Sequence, residues 1–121
     1  YDSAIIYNMV YYDFTAVKKA CGETGATNDE KIAGYGLMAD NFINSDLINV
    51  NNVILPAEEA TFSSTGEWKA FQDIATQLAI GYFYKFESGD MLTFDQAEKT
   101  WTKFFTSKYK RPRFISAQSL A

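Results

Sequence analysis

Three sets of side chains in this sequence could do chemistry: the acid clusters Glu58-Glu59 and Asp90 with Asp95, the single thiol of Cys21, and the cations of Lys108-Tyr109-Lys110-Arg111-Pro112-Arg113-Phe114. Paired carboxylates can act as general acid and base or hold magnesium. Exposed positions explain both clusters without a reaction, Glu58-Glu59 in a loop and Asp90 and Asp95 around a helix start, where acids suit the helix dipole. Cys21 falls at the end of a short helix beside Gly22, where a small buried thiol is expected, with only Lys18 and Lys19 nearby to favour a thiolate. There is no histidine, which removes the commonest general base and the commonest metal ligand.

No phosphate-cradling glycine loop, nucleophile elbow or zinc-protease pattern is present. The stretch from Glu87 to Gln96 has the outline of a calcium loop, but its ends fail. With Leu92 at the eighth position, Lys85 falls first, Asp90 where glycine is needed and Gln96 where a bidentate glutamate is needed. One cysteine also rules out an intrachain disulfide and a cysteine-based zinc site. The sequence therefore assigns no catalytic residue, no cofactor and no metal, and the expectation is that the chain is not an enzyme.

The cations are different, because they gather at one end. Residues 99–121 hold Lys99, Lys103, Lys108, Lys110, Arg111 and Arg113 with no acidic side chain, while residues 1–98 hold five lysines against all 15 acids. A net charge of −4 thus hides a strong dipole, which points to an anionic partner at the C-terminal end. Lys108, Tyr109, Lys110, Arg111, Arg113 and Phe114 are the candidate partner-binding residues: guanidinium forks suit carboxylates or phosphates, and the rings would gain from packing under a partner.

The elements that must position these residues are helical. Ser or Thr followed three residues later by Glu or Gln marks capping boxes at Thr27/Glu30, Ser64/Glu67 and Thr93/Gln96. After the first, Ile32, Tyr35, Ala39, Phe42, Ile43 and Leu47 share a helical face, and Gly34 and Gly36 are expected to permit a close helix crossing. After the second, Trp68, Phe71, Ala75, Leu78 and Tyr82 form a row that Ile74 and Phe86 widen, ending near Gly89. After the third come Phe94, Ala97, Trp101, Phe104 and Phe105, with an end near Lys108 because Pro112 disfavours helix at Arg111. A short helix from Phe14 to Ala20 has Asp13 as cap and Gly22 as stop. Residues 5–12 fit a strand or a helix equally well.

The connection from Asn49 to Gly66 exceeds the ~12–15 residues usual in compact domains, and its Val53-Ile54-Leu55 and Phe62 are expected to pack on a neighbour. With ten Phe, eight Tyr and two Trp, some rings are also expected to await a neighbouring subunit. The fold class is all-α: a small helical bundle over residues 1–107, a long loop between the second and third main helices, and an extended basic C-terminal arm over 108–121. No stretch reaches the ~20 apolar residues of a membrane span, and neither membrane attachment nor a targeting signal is expected.

The layout resembles the head-to-tail connector, or adaptor, proteins of tailed bacteriophages and related archaeal viruses. The residues that carry the likeness are Tyr12-Asp13-Phe14-Thr15-Ala16-Val17-Lys18-Lys19-Ala20-Cys21-Gly22, then Asp29-Glu30-Lys31-Ile32 opening a helix, Ile74 through Tyr84, and the tail Tyr109-Lys110-Arg111-Pro112-Arg113-Phe114. The likeness covers about residues 12–114 and implies a non-enzymatic virion protein. It implies a homo-oligomeric ring of about twelve copies, a dodecamer, beneath the portal protein, with a tail or stopper protein below, the genome passing through without sequence-specific binding, and the arm reaching toward the portal. The acidic body suits a lumen that repels phosphates. Two other classes compete: a small nucleic-acid-binding domain using the basic tail with Tyr109 or Phe114 stacked on bases, and a helical protein-interaction regulator.

Overall fold

Asp13 starts the first helix by accepting the Ala16 N–H at 3.2 Å, and α1 then runs Phe14–Ala20 before Gly22, at φ +73°, turns the chain away. A computed structural model describes residues 10–113, and among these the remaining helices are α2 (Asp29–Leu47), α3 (Thr65–Ser88) and α4 (Leu92–Tyr109), with a single 3-10 turn at Glu59–Thr61. The all-α class is thus as expected. The question of strand or helix before Tyr12 lies mostly outside the described residues.

The middle capping box forms: Ser64 Oγ accepts the Glu67 N–H at 3.1 Å, while the Glu67 carboxylate reaches back one residue further, to the Ser63 N–H. The other two boxes do not. Helix α2 starts after Asn28, whose side chain is turned to Glu23, and its first acid, Asp29, is held by Lys18 of α1 at 2.9 Å. Helix α4 starts after Met91 because Asp90 accepts the Leu92 N–H at 2.9 Å, which places Thr93 inside the first turn. Gly89, left-handed at φ +72°, ends α3 as expected.

Helix α3 is the centre of the molecule. From Ile74 to Gly81 all residues but Gln77 are buried, because α1, α2 and α4 each pack against a different part of its surface. A helix apolar on most sides must be surrounded. The faces expected of α2 and α4 supply Ile32, Ala39, Ile43, Leu47, Phe94, Ala97, Trp101 and Phe105 to one core. Phe86 is a correction: it lies 53% exposed, stacked on Tyr35 and Tyr82 at the edge of the bundle rather than in the core.

Two glycines do close-packing work, and only one is among those expected. Gly36 leaves room for the ring of Tyr12, not for a helix, and Gly34 faces open space. The helix crossing is at Gly81, where a Cβ would come within 2.5 Å of Phe94 Cα. The long connection is also corrected. Its apolar residues turn onto their own core: the Ala57 N–H donates to Tyr11 Oη at 2.8 Å, and Phe62 packs with Trp68, Phe71 and Phe104. A Tyr11 hydroxyl that also donates to Asn44 thereby ties the loop to α2, leaving Ile54 as the projecting residue at 79% exposure.

Candidate functional site

Three of the six C-terminal cations, Lys108, Arg111 and Arg113, bond the chain itself, which corrects the expectation of an extended arm as far as the described residues reach. Lys108 and Tyr109 finish α4. Lys108 Nζ bonds Glu67 at 2.7 Å and sits 4.6 Å above the Phe62 ring centroid. Tyr109 packs on Phe105, and burial, followed by the charge of Glu67, pushes its hydroxyl up to about 12. Lys110, at φ +59°, ends the helix and reverses the chain.

The reversed segment then runs along α2 and α4. Arg111 donates to the Asn49 carbonyl at 2.8 Å, satisfying an acceptor beyond the end of α2. Arg113 donates from Nε to Asp46 at 2.8 Å and from one terminal nitrogen to Glu98 at 3.2 Å and Thr102 at 3.0 Å, with its carbon 4.8 Å from the Phe42 ring centroid. The reason lies under it. Asp46 is 2% exposed, and a buried carboxylate is tolerated only when partnered. Trp101 donates its indole N–H to the same Asp46 oxygen at 2.7 Å, so α2, α4 and the chain end meet at one carboxylate.

Of the six cations, Lys99, Lys103, Lys110 and Arg111 stay exposed and have no ion pair among the described residues, Arg111 being bonded to the Asn49 carbonyl alone. These form the basic surface that the fold presents. Phe114 lies outside the described residues. The partner-binding set expected from sequence is therefore divided: Lys110 and Arg111 are presented, Arg111 while bonded to the Asn49 carbonyl, and Lys108, Tyr109 and Arg113 hold the fold together.

Sequence reading missed the groups that capture the cations, Asp46 and Glu98, and a second buried carboxylate, Asp40. The signal was available: positions 32, 36, 39, 40, 43, 46 and 47 share one helical face, so Asp40 and Asp46 stand in an apolar stripe. Asp40 accepts the N–H groups of Tyr11 and Tyr12, both at 3.4 Å, and burial pushes its carboxyl up to about 6 against the opposing pull of those N–H groups.

The remaining candidates have ordinary surroundings. Burial, reinforced by Glu23, pushes the Cys21 thiol up to about 11, so the thiolate that would react is disfavoured. Asp90 caps α4, Glu59 accepts from the Thr65 hydroxyl at 3.3 Å, and Glu58 and Asp95 are exposed. Among the described residues no three His, Cys, Asp or Glu side chains are grouped to hold a metal ion, and no helix is long and apolar enough to cross a membrane. Comparison with protein-family models, with curated proteins and with solved structures gives no match.

Proposed function

We propose that this chain is a non-catalytic structural subunit of a tailed virus, a head-to-tail connector that forms a ring beneath the portal and joins capsid to tail while DNA passes through. The observation that carries the reading is the order of elements: a short Asp13-capped α1 stopped at Gly22, a longer amphipathic α2, a central α3, and α4 running into a basic end. That order, with the residues quoted above, is the layout that connectors share. Charge supports it. An acidic body lets a duplex slide without adhering, and the cations left exposed from the middle of α4 to just past its end, among them Lys99, Lys103 and Lys110, suit an acidic protein surface.

The reading places the protein in the virion, with the portal above and a tail or stopper protein below. Its test is electron-microscopic class averaging of particles recovered from the native source. A ring of this chain between head and tail, of about twelve copies as the resemblance to connectors implies, is the expected result. Particles holding it only as isolated monomers or dimers would overturn the proposal. The same three exposed lysines also support a second reading, phosphate contact with nucleic acid, which requires binding that falls with salt at a log–log slope of about −2 to −3.

A further inference from the structure

Beyond Lys31, the solvent side of α2 lacks the charges that such a side normally carries. Between Lys31 and Glu58 the only charged residues are Asp40 and Asp46, and both are buried. Past its charged first turn with Glu30 and Lys31, what α2 and its C-cap Ile48 show to water is Leu37, Met38, Asn41, Ser45 and Ile48, with Leu37 47% and Ile48 71% exposed. The exposed side of a surface helix is ordinarily charged or strongly polar, and charge depletion is what marks the centre of a protein interface.

A complementary concave surface lies elsewhere on the same molecule. Helices α3 and α4 enclose a groove of about 680 Å³ floored by Ile74, Ala97 and Phe104 and kept open by the small side chains of Ala70 and Thr100, and no residue of α2 contributes to it. Its α4 wall runs from Thr93 to Phe104, the same eleven steps as Leu37 to Ile48, roughly 16 Å at the helical rise. An uncharged ridge and an apolar groove of equal length, borne by different helices of one chain, suit head-to-tail association.

We infer that the α2 ridge of one copy seats in the α3–α4 groove of a second copy, antiparallel to its α4; this rests on the ring reading and supplies its repeating contact. Charge selects the orientation. Antiparallel docking brings the exposed acidic turn at Glu30 to the end of α4 that bears Lys103 and Lys110, whereas the reverse would bring it to Asp90 and Asp95. Pairing Leu37 with Phe104 then sets Asn41 by Thr100 and Ser45 by Gln96. Because ridge and groove are different surfaces, each copy keeps one of each free for the next, so the contact propagates until it closes.

The test is disulfide trapping of the full chain in a Cys21→Ser background carrying Ser45→Cys and Gln96→Cys. Oxidation is expected to give a ladder of covalent dimers, trimers and larger species, which either cysteine alone cannot give. In the otherwise unaltered chain, Leu37→Glu is expected to lower the oligomer mass in native mass spectrometry to that of the monomer, with the helical circular dichroism unchanged. No covalent species beyond those of the single-cysteine controls, a product that stops at dimer, or an oligomer indifferent to Leu37→Glu would each overturn the inference. Ring-bearing particles without the ladder would remove this contact and leave the virion role, and a ladder without rings in particles would do the reverse.

Discussion

At the scale of single residues, the fold turns on two carboxylates that an apolar face should not contain. Asp46 is stabilised by Arg113 and Trp101 together. Removing Arg113 leaves a buried charge with one neutral partner, so Arg113→Ala should destabilise the chain by about 3 kcal/mol, and adding Asp46→Asn should recover part of that loss. Urea unfolding of the two singles and the double measures it; an Arg113→Ala midpoint equal to the native one would mean that the chain end is not held. Asp40 acts through pH. Its folded-state carboxyl, near 6, lies above the unfolded value of 3.8, so its contribution is fully favourable below about pH 4 and is lost as pH rises through 6. The penalty above that window is about 3 kcal/mol. The stability gap between Asp40→Asn and the native chain should therefore shift in favour of the variant from pH 4 to 6 and then stay level, and parallel pH profiles would show that Asp40 does not titrate there.

At the scale of elements, periodicity was legible and contact was not. The spacing of apolar residues set the faces of α2, α3 and α4, and Asp13, Ser64, Gly22 and Gly89 marked caps that form as expected, because those signals act within one turn. Thr27 and Thr93 failed as caps because Lys18 on Asp29 and the Asp90 side chain decide those starts instead. Phe86 shares the period of a core residue, yet whether a neighbour covers it is settled by where α2 and α4 lie. Glycine makes the same distinction measurable. Gly34→Ala adds a methyl in open space and should stabilise by roughly 0.5 to 1 kcal/mol, whereas Gly81→Ala drives a Cβ into the Phe94 backbone and should destabilise by about 1 to 2 kcal/mol despite the better helix former. Equal shifts of their thermal midpoints in the same direction would deny that α3 and α4 cross at Gly81.

At the scale of the whole molecule, the linear sum of charge overstates what a partner meets. The sequence places a surplus of six cations at the C-terminal end, but folding brings Glu67 and Asp46, from helices far away in sequence, onto Lys108 and Arg113, turns Arg113 back onto Glu98 of α4, and brings a carbonyl onto Arg111. The candidate site was thus legible as a region and illegible in its members, since capture of a cation is a tertiary event. Of the cations left without an ion pair, Lys99, Lys103 and Lys110 are exposed and bond nothing among the described residues, so their reversal should leave stability almost untouched. The triple variant Lys99→Glu, Lys103→Glu, Lys110→Glu is expected to unfold within about 1 kcal/mol of the native chain, yet to lose at least tenfold in association with portal-bearing heads, about 1.4 kcal/mol of binding. Reversing Lys108, Arg111 and Arg113 instead should unfold the chain before any partner is tested. If the exposed triple left head association intact, an acidic partner at the end of α4 would be ruled out, and duplex binding measured across salt would then decide whether those lysines meet phosphate.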